Sequence, residues 1–327
     1  MKKAAALSIV VAVMLIAVAL TAEAQTAKKV PVVGVFLPET ASVYASYVDA
    51  FQEGLRALGY IVGQNIHIEY RYTEGKRDRL SELVAELVSL KVDVLVVVGG
   101  TLAVTKRATS TIPIVVGTAG DLVGDGYVAS LAKPGGNITG STNIDSDLSA
   151  KRLELLKESF PKLSRVAVLT HEGNRGDQDE LRETRTAAQR LRIRIQSQNL
   201  KDPEQFRGAF GTMIKDRVEA LIITNNSFNF LHRKKFFEFA AKNRLPTMCG
   251  RAAFTENGCL ISYAANRQDS WRRAAYFVDK ILKGAKPADL PVQQPMKFEF
   301  VINLKTAKQI RVTIPQSVLY RADRVIK

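Results

Sequence analysis

The chain has 327 residues, of which 46% are hydrophobic and 24% are charged, and its formal net charge is +15. The apolar fraction excludes a disordered chain, and a count of 2 cysteines excludes a disulfide-dense scaffold. The length allows two domains that each bury a core, whereas the surplus of Lys and Arg first suggests a nucleic-acid binder.

The first 24 residues have the three parts of a secretory signal peptide. Met1-Lys2-Lys3 is basic, residues 4–20 are almost purely apolar, and Ala22-Glu23-Ala24 is an A-x-A cleavage site. A membrane anchor is the alternative, but this apolar run is at the short limit for a span, and a cleavage motif follows it directly. Cleavage removes two basic residues and one acidic residue, which leaves a net charge of +14. We therefore expect a periplasmic protein without a lipid attachment, away from genomic DNA.

From Val30 onward, short apolar runs alternate with longer stretches of helical spacing. The predicted strands cover residues 32–37, 66–70, 94–98 and 112–116, and the predicted helices between them cover residues 44–58, 79–90 and 101–108. The pattern breaks at residues 133–137. It resumes with predicted strands at 165–169, 193–198, 220–224, 245–248, 259–263 and 297–302, and with helices at 148–160, 177–191, 230–242 and 271–282. The segment after residue 302 is predicted to end in a short helix. We therefore predict an α/β fold of two doubly wound parallel-sheet halves, joined near residues 138–145.

Cys249 and Cys259 lie ten residues apart, at the end of one predicted strand and the start of the next. A disulfide can form if those strands are neighbours, and two buried thiols are the alternative. The three histidines, His67, His171 and His232, are isolated in the sequence and lack the spacing of a metal site. We expect no bound metal.

Ligands of open parallel sheets bind outside the carboxyl ends of the strands. The loops at those ends carry small, hydroxyl, amide and aromatic side chains, which suit a small organic molecule. After one strand, Gly99-Gly100-Thr101 either brings a ligand carboxylate to a helix N-terminus or forms a tight turn that Thr101 caps. After the next strand, Asp121 can accept a ligand ammonium or hydroxyl, or it can cap residues 122–128.

Motifs of catalysis are absent from the sequence, and one nucleotide-binding pattern lies out of context. Gly124-Asp-Gly126-Tyr-Val-Ala129 fits G-x-G-x-x-A, but the preceding strand ends well upstream of it. The basic residues at 175–194 and 233–235 fit a solvated helix surface better than a nucleic-acid site in an exported protein. We expect a binding protein without a cofactor.

Several strings resemble the family of ABC-transporter substrate-binding proteins whose members include tryptophan and tyrosine binders. The clearest are Phe51-Gln-Glu-Gly-Leu-Arg-Ala-Leu-Gly-Tyr60, Pro134-Gly-Gly-Asn-Ile-Thr-Gly140 and Lys297-Phe-Glu-Phe-Val-Ile-Asn-Leu-Lys-Thr-Ala307. The resemblance implies a type I periplasmic binding-protein fold with ligand held between two hinged lobes. Lobe I would comprise residues 25–143 plus about 265–300, and lobe II residues 144–264 plus about 301–327.

The resemblance also implies a set of ligand-binding residues. They are Thr40, Ser42, Tyr44, Gly100, Thr101, Thr118 and Asp121 from lobe I, and His171, Asn174, Asn226, Phe228 and Tyr263 from lobe II. The sequence departs from many relatives at His171-Glu172-Gly173-Asn174, where they have Asn-Pro turns, and at Asn226-Ser227-Phe228, where they have an Asp-Pro-Phe-like loop.

The resemblance implies that the protein captures a small organic ligand, such as an aromatic amino acid or other carboxylate. It would deliver this ligand to an inner-membrane ABC permease with its ATPase. A sensory or regulatory binding protein and a secreted α/β enzyme are the alternatives. We expect a monomer that binds no nucleic acid.

Overall fold

The computed structural model describes residues 29–327, so the predicted signal peptide lies outside the described residues. The N-terminal half folds around strands β1 (Val32–Leu37), β2 (His67–Tyr72), β3 (Val94–Val98), β4 (Ile114–Ala119) and β5 (Ile138–Thr142), with helices α1 (Ala41–Ala57), α2 (Leu80–Ser89) and α3 (Gly99–Ala108). The strands are parallel and lie in the order β2-β1-β3-β4-β5. They form the sheet of lobe I.

The sheet of lobe II has seven strands. They are β6 (Arg165–His171), β7 (Arg194–Leu200), β8 (Ala220–Ile223), β9 (Thr247–Cys249), β10 (Ile261–Ala265), β11 (Phe298–Asn303) and β12 (Arg324–Ile326). The helices of this part of the chain are α4 (Ser149–Ser159), α5 (Arg175–Leu191), α6 (Phe206–Lys215), α7 (Ser227–Leu231), α8 (Arg233–Lys242), α9 (Ala252–Glu256), α10 (Arg267–Leu282), α11 (Leu304–Ile310) and α12 (Gln316–Leu319). The strand order is β12-β11-β10-β9-β8-β6-β7. Strands β6 to β10 are parallel, and β11 and β12 run together in the opposite direction, so that β11 is antiparallel to β10. The predicted α/β fold of two parallel-sheet lobes is confirmed.

Within residues 29–327, the chain passes between the lobes three times. The first crossing lies between β5 and α4, and the second lies between β10 and α10. The third lies between Gln293, which still pairs with Ser141 of β5, and the start of β11. Helix α10 therefore packs against α1 in lobe I, although it follows a strand of lobe II. None of the helices in these residues is long and apolar enough to cross a membrane.

Helices cover both faces of the lobe I sheet, which explains its continuous apolar strands. On β1, Val35 belongs to the core under α1 and α10, and Phe36 belongs to the core under α2 and α3. Trp271 of α10 is fully buried in the first of these cores and meets Phe51 of α1 edge to face, with ring centroids 6.3 Å apart. The core of lobe I thus depends on a helix that comes late in the chain.

Gly140 ends the string Pro134–Gly140 for a steric reason. Its φ is +126°, and a Cβ added there would lie 2.3 Å from the carbonyl oxygen of Val116 on β4. Any side chain would therefore force β5 away from β4.

Cys249 and Cys259 are joined by a disulfide, with Cα atoms 6.7 Å apart and both residues fully buried. Cys249 is the last residue of β9, and Cys259 lies two residues before the start of β10. The two strands are neighbours in the sheet. It therefore closes the segment 250–258 at the edge of lobe II that faces lobe I.

Two predicted elements differ from the observed ones. The predicted helix over residues 230–242 is two helices, α7 and α8, because the Asn226 side chain caps an earlier start by accepting a hydrogen bond from the Asn229 amide at 2.7 Å. The C-terminal segment, predicted to end in a short helix, instead ends in β12, which pairs with β11 through Val301 and Arg324.

Candidate functional site

A cavity of about 470 Å³ lies between the lobes, at the carboxyl ends of both sheets. Its volume is within the range of roughly 300–1,000 Å³ that is usual for small-molecule sites. Eight residues predicted from the sequence line it: Tyr44, Gly100, Thr118, Asp121, His171, Asn174, Asn226 and Phe228. Because these residues come from both lobes, a molecule in the cavity contacts both at once.

The N-terminus of α3 forms part of the lobe I wall. Gly99 and Gly100 open this helix, line the cavity and are exposed. The residue at the N-cap position is Val98, which has no side-chain acceptor for the first helical amides. Those N–H groups have no partner within the helix, and together with the helix dipole they favour an anion. Thr118, at the end of β4, adds a hydroxyl group to the same wall.

Thr101 does not line the cavity with its side chain. It is fully buried, and its hydroxyl lies 3.1 Å from the carbonyl oxygens of both Phe36 and Val98. The Val98 amide also donates to this hydroxyl at 3.3 Å. The helix begins at Gly99, two residues before the predicted start, so Thr101 turns toward β1 and fixes the strand-to-helix turn. Of the two alternatives for Gly99-Gly100-Thr101, the side chain of Thr101 therefore fits the tight turn.

One carboxylate oxygen of Asp121 accepts hydrogen bonds from nearby amides, and the other can accept one from a ligand. Its Oδ1 accepts hydrogen bonds from the amides of Val123 at 3.1 Å and Gly124 at 2.9 Å, which fixes a turn and not a helix. Its Oδ2 has no hydrogen bond to any residue in 29–327. Both alternatives for Asp121 are therefore compatible with its position in the cavity wall.

Two stacked rings form the apolar part of the lobe II wall. His171 is the last residue of β6, and Phe228 is the second residue of α7. Their ring centroids are 4.4 Å apart, with an angle of 11° between the ring planes. The Nδ1 atom of His171 lies 2.9 Å from the carbonyl oxygen of Leu200. Since a carbonyl only accepts, Nδ1 carries the proton, and this bond holds the imidazole in its stacked orientation.

Asn174 and Asn226 line the cavity, but their side chains also cap helices. Asn174 accepts a hydrogen bond from the Asp177 amide at 3.1 Å at the start of α5. The Asn226 Nδ2 group donates to Oδ2 of Asp177 at 2.7 Å. These bonds orient Asp177, which also accepts from the His171 amide through Oδ2 at 2.6 Å.

Asp177 is an acidic residue of the lobe II wall with an available acceptor. Its Oδ1 has no hydrogen bond to any described residue, and Asp177 lines the cavity. Burial raises the pKa of Asp177 to about 6, although the hydrogen bond from the His171 amide acts in the opposite direction. A cation bound at this carboxylate would favour its ionised form.

Beneath the cavity, a buried arginine joins two further carboxylates that line it. Arg152 lies 2.7 Å from Asp145 and 2.9 Å from Glu180, and only 1% of its side chain is exposed. Its Nε also donates to the carbonyl oxygen of Tyr263 at 2.8 Å. Burial raises the pKa of Glu180, and the charge of Arg152 offsets this only in part. The cluster is satisfied internally and forms the floor of the site.

The other predicted residues lie elsewhere. Thr40 is exposed and its hydroxyl contacts that of Ser42 at 2.9 Å, and neither residue lines this cavity. Tyr263 packs between Phe298 and Phe300, with centroid distances of 6.1 and 6.4 Å, on the sheet face of lobe II. These three residues and Thr101 are therefore separate from the other eight.

Sequence reasoning identified Asp121 but missed the other charged residues of the site. Arg175, at the start of α5, reaches across to lobe I, where it donates to the Gly124 carbonyl and lies 3.5 Å from Asp125. Asp145 and Asp177 were not selected because neither follows a predicted strand directly. The available signal for Asp177 was its place in the first turn of a predicted helix, close behind the loop at 170–174. The described residues contain no group of three or more His, Cys, Asp and Glu placed to hold a metal ion.

Two α/β lobes, joined by three crossings of the chain and with a polar cavity between them, define a two-lobed solute-binding protein. A family model described as ABC transporter substrate binding protein matches residues 30–326. The chain belongs to this family, whose members are binding proteins, and the resemblance noted in the sequence is confirmed.

Individual relatives are distant in sequence and close in fold. A tyrosine-binding protein of Clostridioides difficile is 22% identical over 261 residues, which cover 80% of this chain and 75% of that protein. The structure of an ABC domain in complex with L-Trp from Streptococcus pneumonia is 24% identical, with a TM-score of 0.82 over 90% of this chain and 99% of that one. A conserved domain protein from Vibrio cholerae has 24% identity and a TM-score of 0.83 over 91% and 100% of the two chains.

Proposed function

We propose that the protein is the solute-binding component of an ABC importer, exported to the periplasm, and that it captures an aromatic amino acid or a related carboxylate. The observation that carries the proposal is the composition of the cavity. One wall presents the uncapped N-terminus of α3, two available carboxylate oxygens lie on Asp121 and Asp177, and a stacked ring pair lies on lobe II. This combination matches a zwitterion with a flat side chain.

In this proposal, each end of the ligand has its own partner. The ligand carboxylate accepts from the first amides of α3 and from Thr118. The ligand ammonium donates to Oδ2 of Asp121 and Oδ1 of Asp177, one carboxylate from each lobe. The aromatic side chain packs against Phe228 and His171, with Tyr44 on the lobe I side.

A ligand held in this way stabilises the closed arrangement of the lobes, because its contacts are split between them. We propose that the moving bodies are residues 25–143 plus about 265–300, and 144–264 plus about 301–327. The packing of α10 on α1 supports the first body. The pairing of β11 with β10 supports a second body whose last segment starts near Phe298, slightly before residue 301. Arg175 supports closure as well, since its contacts with Gly124 and Asp125 join the lobes at the cavity wall.

Relatives support the ligand class. One distant homologue is a tyrosine-binding protein, and another is an ABC domain in complex with L-Trp. The altered loops at His171 and Phe228 keep aromatic rings in the cavity wall, so a planar side chain remains the best match to this surface.

A thermal-shift screen with amino acids and other small carboxylates, followed by calorimetric titration of each hit, tests the proposal. We expect an aromatic amino acid or related carboxylate to bind, and we expect Asp121→Asn and Asp177→Asn each to weaken binding at least tenfold. Asp289→Asn, which removes an exposed carboxylate outside the cavity, is the matched control. If no carboxylate binds, or if both cavity variants bind as tightly as the wild type, the proposal is wrong. Stimulation of a reconstituted permease and its ATPase by the loaded protein then tests delivery.

A further inference from the structure

A second cavity of about 650 Å³ borders the same interlobe surface. Ser42, Ser46 and Tyr47 of α1 line it from lobe I, and Arg233 and Arg251 line it from lobe II. It shares Arg251 and Arg267 with the cavity described above but none of the residues proposed there to contact the solute. The proposed function assigns no role to this cavity.

Arg233 and Arg251 both lie against the same aromatic ring. Their guanidinium carbons are 4.3 and 4.1 Å from the centroid of Phe230. Burial and then the charge of Arg251 lower the pKa of Arg233, as expected for two neighbouring cations. Two like charges held together in a partly buried place are unfavourable unless an anion accompanies them.

No anion of the described chain pairs with these two arginines. Within residues 29–327, neither guanidinium has a carboxylate oxygen within 4.0 Å, and the Nε atoms of both are shielded from solvent without a hydrogen-bond partner. Arg233 donates one bond to the Phe230 carbonyl at 2.7 Å, and Arg251 has only a 3.5 Å contact with the Tyr47 hydroxyl. Most of their donors therefore remain free.

The carboxylates around the cavity are committed or too far away. Glu256 and Glu299 both pair with Arg324, at 2.8 and 3.1 Å. Glu39 faces the two arginines from lobe I but forms no ion pair with them, and burial raises the pKa of its carboxyl against the opposing charge of Arg251. The unbalanced charge in this cavity is positive.

The lobe I side of the cavity also favours an anion. Helix α1 has 17 residues, no acidic residue in its first turn and no side-chain cap from Thr40. Ser42 and Ser46 are one helical turn apart on the face that lines the cavity. The dipole of α1 therefore acts in the same direction as the two arginines opposite.

We propose that Arg233 and Arg251, with Ser42 and Ser46, form an oxyanion site that binds a carboxylate or phosphate group between the lobes. Guanidinium groups bind such oxyanions with paired, charge-assisted hydrogen bonds. The group comes either from a free inorganic anion or from an acidic arm of a solute in the adjoining cavity. Occupancy joins the lobes independently of the cavity contacts proposed for the solute.

Calorimetric titration of the full chain with inorganic phosphate, at an ionic strength matched with sodium chloride, tests this site. We expect the wild type to bind phosphate and Arg233→Gln/Arg251→Gln to bind it at least tenfold more weakly. Arg190→Gln removes an exposed arginine of α5 and is expected to bind as the wild type does. The proposal is overturned if the wild type shows no binding beyond the chloride control, or if the double variant binds within twofold of it.

A measurement on the wild type alone covers the case in which the double variant does not fold. Saturating phosphate is expected to slow amide hydrogen exchange in residues 40–47 and 250–258 and to leave the exchange of α6 unchanged. Uniform or absent protection contradicts the site.

Comparison of L-tyrosine with O-phospho-L-tyrosine distinguishes the two sources. If a solute arm occupies the site, the phosphorylated form binds more tightly to the wild type and loses this gain in Arg233→Gln/Arg251→Gln. If a free anion occupies it, inorganic phosphate binds and the two amino acids do not differ in this way. The phosphate titration does not depend on amino-acid binding, so its failure is distinct from failure of the proposed function.

Discussion

Arg152 and Asp145 form a buried ion pair at 2.7 Å at the point where the chain first passes from lobe I to lobe II. Asp145 also accepts from the Asn225 side chain at 2.9 Å, and Arg267 at the start of α10 lies 3.8 Å from it. One carboxylate thus connects two of the crossings between the lobes with the floor of the cavity.

Replacement of Arg152 by Met tests the importance of this cluster. The variant leaves Glu180 buried without its cation and leaves Asp145 with only the longer ionic contact to Arg267, so we expect the free energy of unfolding to fall by about 3–5 kcal/mol. Urea unfolding followed by circular dichroism measures the loss. Arg272→Met removes the exposed pair of Arg272 with Glu53 and is expected to change stability by less than about 1 kcal/mol. Equal effects of the two variants would contradict the buried role.

Gly140→Ala is expected to destabilise the protein by more than ~2 kcal/mol, because its Cβ would overlap the Val116 carbonyl and its φ is unfavourable for alanine. Gly136→Ala in the same string is the control, since a Cβ there meets nothing within 4 Å. Thermal unfolding of both variants distinguishes a local steric requirement from a general need for glycine. A similar loss in both would show that the close approach of β5 to β4 is not the cause.

The stability of the protein is expected to depend on pH through Asp177. Its pKa is about 6 in the folded chain, above the roughly 3.9 of an unfolded aspartate. The stabilising contribution of the protonated carboxyl is therefore complete below pH ~4 and is lost as the pH rises through ~6. Relative to Asp177→Asn, the wild type should lose up to roughly 3 kcal/mol over this interval. Urea unfolding at several pH values measures the difference, and parallel pH profiles would refute it.

Loss of the disulfide is expected to lower the free energy of unfolding by about 2–3 kcal/mol, because the bond restricts a short loop in the unfolded chain. Cys249→Ser/Cys259→Ser tests this by urea unfolding. A reductant should destabilise the wild type and leave the variant unchanged. Titration of free thiols in the denatured, unreduced wild type should detect none, and detection of two thiols would show that the bond is absent.

The sequence predicted the parts of the site that are local in the chain. Gly100, Thr118 and Phe228 were identifiable because each follows a buried apolar strand, and such strands bring their carboxyl ends to one edge. Thr101 was harder to place, since a helix start two residues earlier turns its side chain from the cavity to the core.

Long-range charge pairing was not predictable from the pattern. In the sequence, the helix that carries Arg152 has the pattern of an ordinary charged surface helix. Arg152 is nevertheless buried, because Asp145, Glu180 and the Tyr263 carbonyl all contact it in the folded protein. Arg233 was assigned to a solvated helix face for the same reason, whereas it lies against Phe230 beside Arg251.

The position of α10 has a consequence for synthesis. Lobe I begins at β1, but the face of its sheet that carries Val35 is completely covered only when Trp271 of α10 packs beside α1. A ribosome must therefore translate almost the whole chain before lobe I can complete its core, and strands β6 to β10 of lobe II emerge during that interval. The two lobes cannot mature one after the other as separate units, and any nascent chain that stops before α10 exposes the part of this apolar sheet face that α1 does not cover.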